Sequence, residues 1–110
     1  MPQSRFQIPL TTRQDIRDVL AFTLERFGAG KAQEHASLIR LALNELVQNP
    51  LAGRPRRDIH PDAWVYPIAR SGRNARHLFL YEIVNDEARI YGFFYDAMDL
   101  SRQWQNRDPR

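Results

Sequence analysis

The chain has 110 residues, a net charge of +3, no cysteine and 43% hydrophobic residues. This is the length of one domain, residues 1–110, with the composition of a globular one. The missing cysteine excludes a disulfide framework, a thiolate metal site and a cysteine nucleophile. Residues 1–6 lack the apolar stretch and small-residue cleavage site of a signal peptide, and no apolar run approaches the roughly 20 residues of a membrane span. A cytoplasmic domain is the expectation.

In chain order, residues 5–10 alternate, with Phe6, Ile8 and Leu10 on one side, and predict a short strand. Thr12 fits a helix N-cap, with Asp15 in a capping-box-like place three residues on. Ile16, Val19, Leu20, Thr23, Leu24 and Phe27 then recur at helical spacing and Gly28 fits the stop, giving a helix over residues 13–27. After a Gly28-Ala29-Gly30 link, a second helix is expected over residues 31–48, ended by Asn49-Pro50. So short a link predicts an antiparallel helical hairpin.

Residues 51–62 contain Gly53, Pro55 and Pro61 and read as loop. Residues 64–68 read as a strand, which Pro67 makes short or places at an edge. Residues 71–74 read as a turn and residues 76–84 as the clearest strand, apolar on both faces. Asn85-Asp86 marks a hairpin turn and residues 89–95 the returning strand. Residues 99–104 predict a last helical turn docking Leu100 and Trp104, and residues 106–110 a polar tail. The fold class is α+β: an N-terminal strand and a helical hairpin packed on a small, largely antiparallel twisted sheet.

Charge is unevenly spread. Arg54, Arg56, Arg57, Arg70, Arg73 and Arg76 face only two acids, Asp58 and Asp62, and no acid occurs between residues 63 and 81. The guanidinium fork suits phosphate or carboxylate, so these six arginines are the candidate target- or anion-binding residues; a solvated basic loop is the plainer alternative. His60 and His77 lack a third ligand at metal spacing, so no metal site is expected. His77 reads as a hydrogen-bonded structural histidine and His35 as helix surface. Tyr81, Tyr91, Phe93, Phe94 and Tyr95 fit a core at strand spacing, or a surface on which bases stack.

Three segments taken in order carry a resemblance. Asn49-Pro50 with Gly53-Arg54, then His77 with Tyr81, then Met98-Asp99 resemble the ParE branch of the RelE/ParE toxin superfamily, and the likeness extends from about Phe6 to Leu100. Phe94-Tyr95 departs from the family's Leu-His pair, and Gly92 leaves a gap in the side-chain row.

The resemblance implies the toxin of a type II toxin–antitoxin, or plasmid stabilisation, system that inhibits DNA gyrase without a cofactor or catalytic residues. It also implies a ParD-like antitoxin, through which operator DNA would be reached. The stripe of the second helix is wider than one sheet contact requires, so the antitoxin is expected as an extended segment along the hairpin and the last strand, by groove binding and strand addition, with Ile39, Leu43, Tyr91 and Phe93 as the antitoxin-binding residues. One alternative is a RelE-like ribosome-dependent messenger RNA endonuclease, with Arg54, Arg57, Arg70 and Arg76 on the phosphate and Tyr95 or His77 for the proton. The other is a degenerate toxin acting only as an antitoxin-binding co-repressor.

Overall fold

A computed structural model of the chain describes residues 8–68 and 77–109. Among them the order is α1 (Leu10–Phe27), α2 (Ala29–Gln48), a 3-10 turn (Pro50–Ala52), β1 (Arg54–Pro55), β2 (Trp64–Ile68), β3 (His77–Val84), β4 (Glu87–Tyr95) and α3 (Leu100–Arg107). The four strands form one antiparallel sheet in chain order. The α+β class and the helical hairpin are as expected.

The N-terminus differs. Residues 5–7 of the expected strand lie outside the described residues, Ile8 and Pro9 are irregular, and Leu10 is already helical. Pro9 is the reason. Its φ of −57° is set for helix entry, and its carbonyl accepts the first helical bond, from Arg13 N–H at 3.0 Å. Thr12 therefore lies inside the helix as a buried residue and is not a cap.

Gly28 alone joins the helices. Its φ of +88° suits glycine, and its N–H closes α1 on the Leu24 carbonyl at 3.0 Å. The expected three-residue link is shorter because α2 takes in Ala29 and Gly30. The buried row of α2 is His35, Ile39, Ala42 and Leu46, spaced by three and four. His35, expected on the surface, is thus inside.

The β3–β4 turn is Asn85-Asp86, with φ of +53° and +65°, the backbone that a tight two-residue hairpin needs. β2 lies between β1 and β3, but β1 covers only Trp64 and Val65. Pro67 therefore sits where the outer side of β2 is unpaired, which is where proline is tolerated.

Each face of the sheet carries a packed layer, the second leaving part of the sheet uncovered. Ile39, Ala42 and Leu46 of the hairpin pack on Ile68, Phe79, Tyr81, Ala88, Ile90 and Phe93. On the other face Leu100 and Trp104 of α3, with Ile59 and Ala63 of the loop, pack on Val65, Leu78, Leu80, Tyr91 and Phe94. Asp99 caps α3, its Oδ1 accepting from Arg102 N–H at 3.2 Å. The helix runs to Arg107, so residues 106 and 107 are not tail.

The register of β4 shifts between Leu80 and Tyr81 of β3. Leu80 pairs with Gly92 and Tyr81 with Ile90, so Tyr91 is an extra residue. Ala88 and Ile90 point at the hairpin; after the extra residue so do Phe93 and, through its ring contact with His77, Tyr95.

Candidate functional site

The loop after α2 is pinned by one side chain. Asn49 Oδ1 accepts from Leu51 N–H at 3.2 Å, opening the 3-10 turn. The Tyr81 hydroxyl, reaching from β3, donates to the Pro50 carbonyl at 2.6 Å and accepts from Gly53 N–H at 3.1 Å. Burial pushes the Tyr81 hydroxyl up to about 12, against the partial relief of the Gly53 bond. It therefore keeps the proton it donates. Gly53 has no room for a side chain: a Cβ would collide with the Tyr81 hydroxyl and the Val65 carbonyl. This accounts physically for the Asn-Pro-x-x-Gly spacing and for a tyrosine on β3.

The pinned loop delivers Arg54 into β1 opposite Val65, on the face away from the hairpin. Arg56 follows, held by Asp58 through Nε to Oδ1 and Nη2 to Oδ2, each 2.8 Å. The pair draws the Asp58 carboxyl down and the Arg56 guanidinium up, chiefly through those hydrogen bonds. Arg57 donates to the Pro61 carbonyl at 3.3 Å. His60 accepts from Asp62 N–H through Nδ1 at 3.1 Å and stacks on Trp104 at 4.7 Å.

Arg54, Arg56, Val65, Pro67, His77, Leu78 and Asp96 line a cleft of about 380 Å³. Its apolar lining is sheet and its two arginines lie at the β1 end. Among the described residues the Arg54 guanidinium has no hydrogen-bond or ion-pair partner. It is thus open to an anion.

Of the six arginines expected to bind anions, Arg54 and Arg56 are brought together here and Arg57 lies beside them. Arg70, Arg73 and Arg76 fall outside the described residues. Tyr95 does not join them. Its ring meets His77 at 5.3 Å, and the His77 ring meets His35 of α2 at 5.4 Å and stacks on Phe93 at 5.4 Å. That is the hairpin side, so Tyr95 and Arg54 lie on opposite faces of the sheet. The bulge at Tyr91 causes this, because without the extra residue the alternation would send Tyr95 to the Arg54 face. Gly92, a glycine inside a strand, was the available signal.

Three of the four residues expected to meet an antitoxin, Ile39, Tyr91 and Phe93, are buried, and Leu43 is half-buried. The apolar side chains open to solvent on the hairpin are others: Leu10, Phe22, Leu24, Phe27 and Leu41, each more than half exposed, with Val47. Arg13, Arg17, Arg26 and Arg40 are exposed on the same two helices.

Among the described residues no group of three or more His, Asp or Glu side chains could hold a metal ion, and no helix is long and apolar enough to cross a membrane. The family model described as the ParE toxin of the type II toxin–antitoxin system parDE matches residues 8–100. No curated protein matches the chain.

Proposed function

We propose that this chain, which belongs to the ParE toxin family of type II toxin–antitoxin systems, arrests growth by binding DNA gyrase and is neutralised by a ParD-like antitoxin. The family match over residues 8–100 carries this reading. Tyr95 is separated from Arg54 by the thickness of the sheet, which counts against RNA cleavage with Tyr95 as the proton carrier; His77, which lines the Arg54 cleft, is the proton carrier that a nuclease reading would have to use.

The antitoxin's place is the outer surface of the hairpin. Leu24, Phe27 and Leu41 suit the apolar stripe of an amphipathic segment, and the neighbouring arginines suit its acids. The target's place is the opposite face, at Arg54 and Arg56. The two partners then use different surfaces, and an antitoxin on the hairpin blocks the target by its bulk or by reaching round the sheet.

The test is expression with and without the product of the neighbouring gene. Expression alone should stop growth and leave cleaved gyrase–DNA complexes; co-expression should abolish both and yield a stable complex. Codon-positioned messenger cuts, with no trapped gyrase, would replace this reading with the RelE-like one.

A further inference from the structure

The cleft beside β1 holds two opposite charges. Arg54 and Asp96 both line it, with Val65, Pro67 and Leu78 as its apolar lining. Among the described residues the side chains of Arg54 and Asp96 have no hydrogen-bond or ion-pair partner. Arg56, the other arginine of the cleft, is already held by Asp58 through two bonds of 2.8 Å. Among the described residues, the fixed charges left for a ligand are thus one guanidinium and one carboxylate.

The two charges come from opposite sides of the sheet. Arg54 is on β1 and Asp96 directly follows β4, with β2 and β3 between them. Three strand spacings set those backbones roughly 14 Å apart. Tyr95 packs toward the hairpin side, so the next residue turns to the cleft, and that residue is Asp96. The extra residue Tyr91 therefore decides the charge at this end. Without it the alternation would bring Tyr95 to the cleft and turn Asp96 away.

A nucleic acid carries a negative charge at every nucleotide. A phosphate on Arg54 would bring its neighbours along the cleft toward Asp96, where like charges repel. A polypeptide can carry both signs. In an extended chain, side chains at alternate positions share one side, and residues four apart are roughly 13 Å apart, close to the span between β1 and the end of β4. We infer that the cleft receives an extended protein segment with an acid, an apolar residue and a base at alternate positions. The acid meets Arg54, the apolar side chain lies on Val65 and Leu78, and the base meets Asp96. That this segment belongs to the target rests on the proposed function; the chemistry of the cleft does not.

NMR titration of the isotope-labelled chain tests it. A capped peptide with glutamate, leucine and arginine at alternate positions should shift the Val65 and Leu78 amides. Exchanging the peptide's arginine for a second glutamate should weaken binding about fivefold or more, and in Asp96→Asn the two peptides should bind alike. Arg54→Gln should weaken both. Neither side chain holds another part of the described fold, so both variants should keep the native circular dichroism. No shift from the first peptide, or equal binding of the two peptides by the wild type, would overturn the proposal. Tighter binding of oligothymidylate than of the first peptide would also overturn it and make the occupant a nucleic acid. Against purified gyrase without DNA, Asp96→Asn should lower affinity about fivefold or more, whereas removing a carboxylate should tighten binding to a polyanion. Unchanged or higher affinity of Asp96→Asn for gyrase would contradict the inference. If gyrase does not bind the wild type at all, the gyrase reading fails while the peptide titration still decides the proposal.

Discussion

The two faces of the sheet are built differently. The hairpin face is closed by two long helices, of 18 and 20 residues, whose inner rows fill the core and whose outer sides still carry exposed apolar groups. The other face is closed by an 8-residue helix that buries only Leu100 and Trp104, and it leaves the arginine-lined cleft open at the β1 end. The first face is complete as a core and unfinished as a surface. The second is only partly covered, and what it exposes is charge. Under the proposed function, antitoxin and target would each meet a surface of different chemistry.

The largest expected effect tests whether the faces are independent. Trp104 is 1% exposed and lies between Tyr91 at 4.1 Å and His60 at 4.7 Å. Trp104→Ala should cost about 3–5 kcal/mol in urea unfolding. Exchange protection should fall first in α3 and last in α2. Equal loss in both would mean that the faces form one cooperative unit.

Tyr81→Phe comes next. It leaves Gly53 N–H and the Pro50 carbonyl unpaired and should cost about 1–3 kcal/mol. It should also flatten a pH dependence. Tyr81 ionises near its ordinary value of 10.0 when unfolded and at about 12 when folded. Its contribution is whole below pH 10 and is lost as pH rises toward 12. Tyr66, also raised by burial and by Glu45, adds a change of the same sign that the variant retains.

Arg54→Gln should leave stability within about 0.5 kcal/mol, since its guanidinium has no partner among the described residues. It should weaken target binding by about 1.5–3 kcal/mol, as for a charged hydrogen bond, without changing antitoxin affinity. Loss of antitoxin binding instead would show that the two faces share a partner. The smallest effect is expected of Tyr95→Phe. The ring packs on His77 toward the hairpin side and Tyr95 does not line the cleft, so growth arrest should persist undiminished, as scored by colony counts after induction. Abolished toxicity would restore the nuclease reading.

Much of this was legible in the sequence. The change from helical to alternating periodicity after Pro50, the stop at Gly28 and the turn at Asn85-Asp86 are local signals, and each marks an observed boundary. β1 was not legible, because two residues cannot show a period. Asp15 looked like part of a local cap because its bonds to Phe93 and Arg107 span 78 and 92 positions. His35 was misplaced because histidine on a helix suggests surface, although it continues the row of Ile39 and Ala42. The site suffered most from one residue. The extra Tyr91 reverses which side every later β4 residue faces, and so divides a set of site residues that strict alternation would have kept together.

The chain has two tryptophans. Trp64 packs with the hairpin-side cluster near Tyr81 at 6.2 Å, and Trp104 is enclosed beneath α3. Each layer therefore carries its own fluorophore. Trp64→Phe leaves an emission signal that reports the cleft side alone, and Trp104→Phe one that reports the hairpin side. Two optical titrations can then follow antitoxin and target as they arrive, without any label.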